Sequence, residues 1–227
     1  MTTYFIRICF PIFLCAHSLN AQQGETGYWQ PAIAVNYKVG GAYSHNFSLA
    51  NRNYIYRDND FQLTTRQLDV VHFSKFKTSI GQSLALGIQY RFRQLFEDAK
   101  GNELRLVQQY NLTNEMGPWR MGHRFRSEQR FVKEATLHRL RYRLAFDRPL
   151  KGQNLDTGEA YCVVSTELLA TFASSRSPQF DQRIGLGLGW LLGQGTKLQN
   201  GFGYRWENFG QVTVHSFFLH TALILSL

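Results

Sequence analysis

Long apolar runs are missing from this chain. Nowhere in its 227 residues do about 18 apolar side chains follow one another, which excludes a helical membrane protein. Cysteine is scarce too. Of the three, Cys9 and Cys15 fall within the first fifteen residues and only Cys162 lies beyond them, so no disulfide framework holds the rest of the chain together. Acid is in deficit, with 16 acidic against 25 basic residues and a net charge of +9. The sequence has no nucleophile elbow and no phosphate-binding glycine loop leading into a helix. It has no Cys, His, Asp and Glu cluster at metal-ligand spacing, so neither a cofactor nor a metal is expected. What is present, 44% hydrophobic and 15% aromatic residues, suffices for a folded chain.

The first residues read as an export signal. Arg7 gives the one positive charge ahead of the apolar stretch from Ile8 to Ala16, polar Ser18 and Asn20 follow, and small Ala21 marks a cleavage point before Gln22. The organisation expected is a cleavable signal over residues 1–21 and one domain over 22–227. Export without a later disulfide points to a bacterial envelope protein.

From Tyr28 onward apolar residues recur at period two. Leu84, Leu86, Ile88, Tyr90 and Phe92 alternate with Ser83, Ala85, Gly87, Gln89, Arg91 and Arg93. The same split places His138, Leu140, Tyr142, Leu144 and Phe146 opposite Arg139, Arg141, Arg143, Ala145 and Asp147. It also places Ile184, Leu186, Leu188 and Trp190 opposite Arg183, Gly185, Gly187 and Gly189. Such alternation defines half-buried antiparallel strands. A soluble sandwich would share it, but the polar face carries more arginine than a dry core can desolvate, so that face must be wet. Aromatics gather towards segment ends, at Trp29, Tyr90, Phe92, Trp119, Phe131, Trp190, Tyr204 and Trp206, as an interfacial girdle requires.

The fold class expected is therefore all-β: a closed antiparallel transmembrane β-barrel, apolar outside and polar within. Eleven segments can be marked, roughly 28–38, 43–56, 61–74, 79–95, 103–112, 119–131, 137–148, 160–173, 181–192, 196–207 and 211–226. Bacterial single-chain barrels have even strand numbers. Twelve is favoured, with a strand missed between Tyr43 and Phe76, and ten is the alternative, with the first segment outside the wall. The last segment sets His215, Phe217, Leu219, Thr221, Leu223, Leu225 and Leu227 on one face. That pattern resembles the assembly signal of outer-membrane barrels, although many of those end in phenylalanine.

Over most of its length the chain resembles the bacterial barrel family known as domain of unknown function 2490. The likeness rests on Trp29, on Gly87-Ile88-Gln89-Tyr90-Arg91, and on His123-Arg124-Phe125-Arg126-Ser127-Glu128-Gln129-Arg130. It continues through Leu137-His138-Arg139-Leu140-Arg141-Tyr142-Arg143, Glu167, Arg183 and Gly187. The resemblance implies an outer-membrane barrel without an assigned biochemical role. Its partners would be outer-membrane lipids and the barrel assembly machinery.

Arginine dominates the polar face, 18 arginines standing against 7 lysines in the whole chain. Guanidinium keeps its charge and makes bidentate pairs in crowded surroundings. The candidate lumen network comprises Arg91, Arg93, Arg120, Arg124, Arg126, Glu128, Arg130, Arg139, Arg141, Arg143, Asp147, Glu167, Arg183, Arg205 and Glu207. Paired, these groups form a structural plug or a ligand site; unpaired, they line a narrow anion-selective path. Nucleic acid is not expected as a partner, because the arginines sit on strand inner faces rather than on an exposed basic surface. An outer-leaflet lipid hydrolase would need a histidine and a serine together. His123 and Ser127 stand about 13 Å apart along one strand, and His215 and Ser216 point to opposite faces. No catalytic residue is therefore assigned.

Overall fold

The computed structural model describes residues 25–133, 135–174 and 176–227. The expected export signal and its Ala21–Gln22 junction lie outside them. Eleven strands form among the described residues: β1 (Thr26–Lys38), β2 (Tyr43–Arg57), β3 (Asp60–Ser79), β4 (Gln82–Phe92), β5 (Glu103–Met116), β6 (Trp119–Val132), β7 (Ala135–Pro149), β8 (Ala160–Ala173), β9 (Arg176–Gly193), β10 (Thr196–Phe209) and β11 (Val214–Ser226). Sequence neighbours pair antiparallel, and β1 pairs with β11, so the sheet closes into a barrel.

The wall has eleven strands where ten or twelve were expected, and both expected counts are corrected. An odd number makes the first and last strands run in the same direction, so the seam must be parallel. Eleven consecutive partners build it, from Thr26 opposite Ser216 to Asn36 opposite Ser226. The even-number rule presumes antiparallel pairing at every neighbour, the seam included. The first segment belongs to the wall. No further strand lies between Tyr43 and Phe76, because two long strands fill that stretch, joined by Asp58 and Asn59 with φ of 53° and 63°. Two consecutive left-handed residues define the tight I′ hairpin, whose twist matches that of the strands it joins.

The parallel seam also sets the two ends of the barrel apart. One rim carries the start of β1 and the turns at 58–59, 93–102 and 210–213; it is called here the N-terminal rim. The other, the C-terminal rim, carries the end of β11 and the turns at 80–81, 117–118, 150–159 and 194–195.

Period-two alternation becomes inside and outside. On β4 Leu84, Leu86 and Ile88 are exposed on the outer face, Leu86 at 66%, while Ser83, Ala85 and Arg91 are buried inside. Trp29, Tyr90, Phe92, Phe131, Tyr204 and Trp206 fall in the part of the outer wall near the N-terminal rim, and Trp119 and Trp190 near the C-terminal rim. The interior has an apolar element of its own. Tyr28, Tyr54 and Phe218 cluster beneath β1, β2 and β11, with ring centroids 5.1 and 4.8 Å from Tyr28.

Candidate functional site

Carboxylates organise the arginines of the interior into a belt crossing seven strands. At one end Asp69 on β3 accepts two hydrogen bonds from Arg91 on β4, at 2.6 and 2.8 Å. Glu103 on β5 takes Arg105 at 2.8 Å and Arg130 on β6, and lies 3.6 Å from Arg91. Glu128 on β6 receives Arg141 of β7 at 2.6 Å and stands 3.6 Å from Arg126. Arg141 also reaches across to Glu167 on β8 at 2.8 Å, and Glu167 in turn meets Arg183 on β9 at 3.5 Å. Asp181 closes the belt with Arg139 at 3.9 Å and Arg183 at 4.0 Å.

Strand pairing explains why so many carboxylates are needed. Four arginine pairs stand directly opposite one another in the ladders: Arg105 with Arg130, Arg126 with Arg141, Arg124 with Arg143, and Arg205 with Arg183. Like charges directly opposed repel. Glu103 bridges the first pair and Glu128 the second. Each is only 1% exposed, and a charge so enclosed is tolerable only because it is paired and hydrogen-bonded.

Of the expected network, Arg91, Arg126, Glu128, Arg130, Arg139, Arg141, Glu167 and Arg183 are brought together in this belt. Arg120 and Asp147 pair with each other at 3.1 Å, away from it and half-exposed on the arginine side. Among the described residues Arg93, Arg124, Arg143 and Arg205 have no carboxylate within 4 Å. Arg124 has only a long contact with Asn111 at 3.4 Å. Arg205 instead lies 3.5 Å above the Phe218 ring, joined there by Arg52 at 5.0 Å. Glu207 accepts from Ser216 at 3.5 Å.

Sequence reasoning missed Asp69, Glu103, Arg105 and Asp181, a third of the belt's twelve members. Each occupies an inward position of an alternating segment. Asp69 was findable once β3 and β4 were placed in register, since it falls opposite Arg91.

Gln30, Arg124, Arg141, Arg143, Ser165, Glu167, Arg183, Gln199, Arg205 and His220 surround a cavity of about 390 Å³ on the C-terminal-rim side of the belt, with Gly185, Gly187, Gly201 and Gly203 along its wall. A hollow of about 490 Å³ at the C-terminal rim contains Lys38, Lys75 and Lys77. On the outer face His123 Nδ1 meets the Tyr142 hydroxyl at 2.9 Å and His215 Nδ1 the Tyr204 hydroxyl at 2.7 Å. Ser216, beside His215 in sequence, is buried on the inner side. Among the described residues no group of three or more His, Cys, Asp or Glu is placed to hold a metal ion.

A closed β-barrel with an ion-paired interior is the class of protein defined by these features. The chain belongs to the family described as "Protein of unknown function (DUF2490)", whose match covers residues 26–214. Comparison with curated proteins finds no match.

Proposed function

We propose that the protein is a bacterial outer-membrane barrel, exported through the periplasm, whose lumen is blocked by the arginine–carboxylate belt. It serves as a structural or ligand-holding barrel, neither an open pore nor an enzyme. The observation that carries this reading is the belt itself, in which Asp69, Glu103, Glu128, Glu167 and Asp181 tie guanidinium groups across the interior from β3 to β9. Eleven strands also lie between the small barrels filled by side chains and the 16-stranded porins with an aqueous channel. The outer wall supports the membrane assignment, with exposed Leu84, Leu86, Leu140, Leu168, Leu186 and Leu219 between aromatic rims, as a lipid-facing band requires. Outer-membrane lipids and the assembly machinery are the partners of this reading.

Detergent extraction without heating, followed by electrophoresis, tests the location through a heat-modifiable band in the outer-membrane fraction. Recovery from the soluble periplasm overturns it. Planar-bilayer recording tests the plug. Silence is expected, and steady anion-selective steps would establish the second reading, a narrow anion channel, which the uncompensated charges of Arg124 and Arg143 favour. A thin-layer assay for released fatty acid, on wild type and His123→Ala, covers the hydrolase alternative; no release is expected.

A further inference from the structure

Two of the four opposed arginine pairs lack the carboxylate that bridges the others, and both line the same cavity. Arg124 faces Arg143 across the β6–β7 ladder. Glu167, which lies opposite Arg143 in the next ladder, turns instead to Arg141 and Arg183. Arg205 faces Arg183 across the β9–β10 ladder, and Arg183 alone of that pair has carboxylate contacts. The Nε of Arg183 is buried without a hydrogen-bond acceptor among the described residues. Elsewhere in the belt Glu103 and Glu128 each span an opposed pair; Glu167 lines this cavity but is engaged by Arg141 and Arg183, and among the described residues no carboxylate spans Arg124 with Arg143 or Arg183 with Arg205.

Resting on the lumen reading above and deepening it, we propose that this chamber binds a soluble phosphate-class oxyanion, which bridges Arg124 with Arg143 and Arg183 with Arg205 as Glu103 and Glu128 bridge the other pairs. Guanidinium forks match phosphate oxygens bidentately. Glycine positions on β9 and β10 leave the room, and about 390 Å³ falls within the range of small-molecule sites. His220 adds a ring nitrogen to the wall, a donor or acceptor according to tautomer. Lys75 and Lys77 in the hollow at the C-terminal rim raise the local anion concentration at that end of the barrel.

The test is calorimetric titration of inorganic pyrophosphate into the full barrel folded in phosphatidylcholine vesicles, at constant chloride. Saturable binding is expected, weakened at least tenfold by Arg143→Gln and by Arg205→Gln. It should be unchanged by Arg57→Gln, whose side chain pairs with Asp58 at the opposite rim. Absence of binding, or equal affinity in all variants, overturns the proposal. Repeating the titration in vesicles containing phosphatidylglycerol separates the two sources of phosphate. Unchanged affinity identifies a soluble ligand, whereas abolished binding assigns the chamber to a lipid headgroup and overturns the soluble-ligand proposal.

Folding is controlled by the thermal midpoint. Arg143→Gln removes a repulsion and should melt no lower than wild type without pyrophosphate, while pyrophosphate should raise the midpoint of wild type more than that of Arg143→Gln. Equal pyrophosphate stabilisation of both proteins overturns the site. Bilayer recording on the same preparation keeps the failures distinct: a silent barrel that does not bind loses the chamber, and a conducting barrel loses the plug.

Discussion

Arg141 stands between two carboxylates, donating to Glu128 at 2.6 Å on one side and to Glu167 at 2.8 Å on the other. One guanidinium thereby ties β6 and β8 through β7. Repeated at Glu103, where Arg105, Arg130 and Arg91 converge, the same arrangement replaces the dry core of an ordinary domain with a lattice of charge. The lattice has little redundancy, since five carboxylates serve a larger number of arginines.

Glu103→Gln should therefore destabilise the barrel by about 3 to 5 kcal/mol, because it leaves enclosed guanidinium groups without their counter-charge. Asp147→Asn, which removes the partner of the half-exposed Arg120, should cost less than about 1 kcal/mol. Urea unfolding from vesicles, followed by tryptophan fluorescence, measures both. Similar losses for the two would mean that the belt is no more important than a rim ion pair.

Glycine opposite an inward aromatic ring gives a second, geometric test. A Cβ on Gly87 would sit 2.3 Å from the Phe73 ring, and one on Gly189 2.3 Å from the Tyr161 ring. Gly87→Ala should cost about 1 to 3 kcal/mol through overpacking. In a Phe73→Ala background the same substitution should cost far less, since the obstructing ring is gone. A double-mutant cycle reads this as a coupling energy, and simple additivity would show that the ring does not occupy the space over Gly87.

Faces and most strand positions were legible because the alternation of apolar and polar residues is itself the physical record of a two-sided wall. The eleven segments marked along the chain correspond to the eleven strands. The strand count was then misjudged by applying a rule for antiparallel closure to a chain that closes in parallel. A seam joins residues nearly 200 positions apart, and no local pattern reports its direction. Three of the belt's five carboxylates, Asp69, Glu103 and Asp181, were lost for a related reason. Asp69 and Glu103 are single acids inside apolar or mixed segments, and they acquire meaning only when the ladders set both of them opposite Arg91.

Unequal losses at adjacent residues of β9 test the polarity of the wall. Leu186 is 56% exposed on the outer face, with Val164 and Phe202 directly across from it. On the proposed membrane assignment, Leu186→Arg should reduce the folded fraction in lipid vesicles, as a cation near the midplane costs about 2 to 4 kcal/mol. A Cβ on neighbouring Gly187 meets only the Gln199 side-chain amide at 3.2 Å and a backbone oxygen at 3.4 Å. Gly187→Ser should therefore be much milder, and equal damage would contradict the assignment of faces.

The parallel seam makes the last prediction, and it separates eleven strands from ten or twelve without a new structure. Ile33 faces Leu223 and Ala32 faces Ala222 in the β1–β11 ladder, close enough for paired cysteines to approach the Cα separation a disulfide needs, usually 4.4 to 6.8 Å. In a Cys162→Ser background, Ala32→Cys with Ala222→Cys should cross-link under mild oxidant, detected as faster migration of the unreduced, heated protein. Shifting one partner to Ala34→Cys moves it two residues along the strand, or about 7 Å, and should sharply reduce the yield. An antiparallel seam through the same central pair would lose registry in the opposite sense. Pairing Gln30→Cys with His220→Cys distinguishes the two directions: parallel closure sets these residues opposite each other, whereas antiparallel closure about Ala32 and Ala222 would pair residue 30 with residue 224. Cross-linking of 30 with 220 and not with 224 is the expected result, and the reverse would return the barrel to an even count.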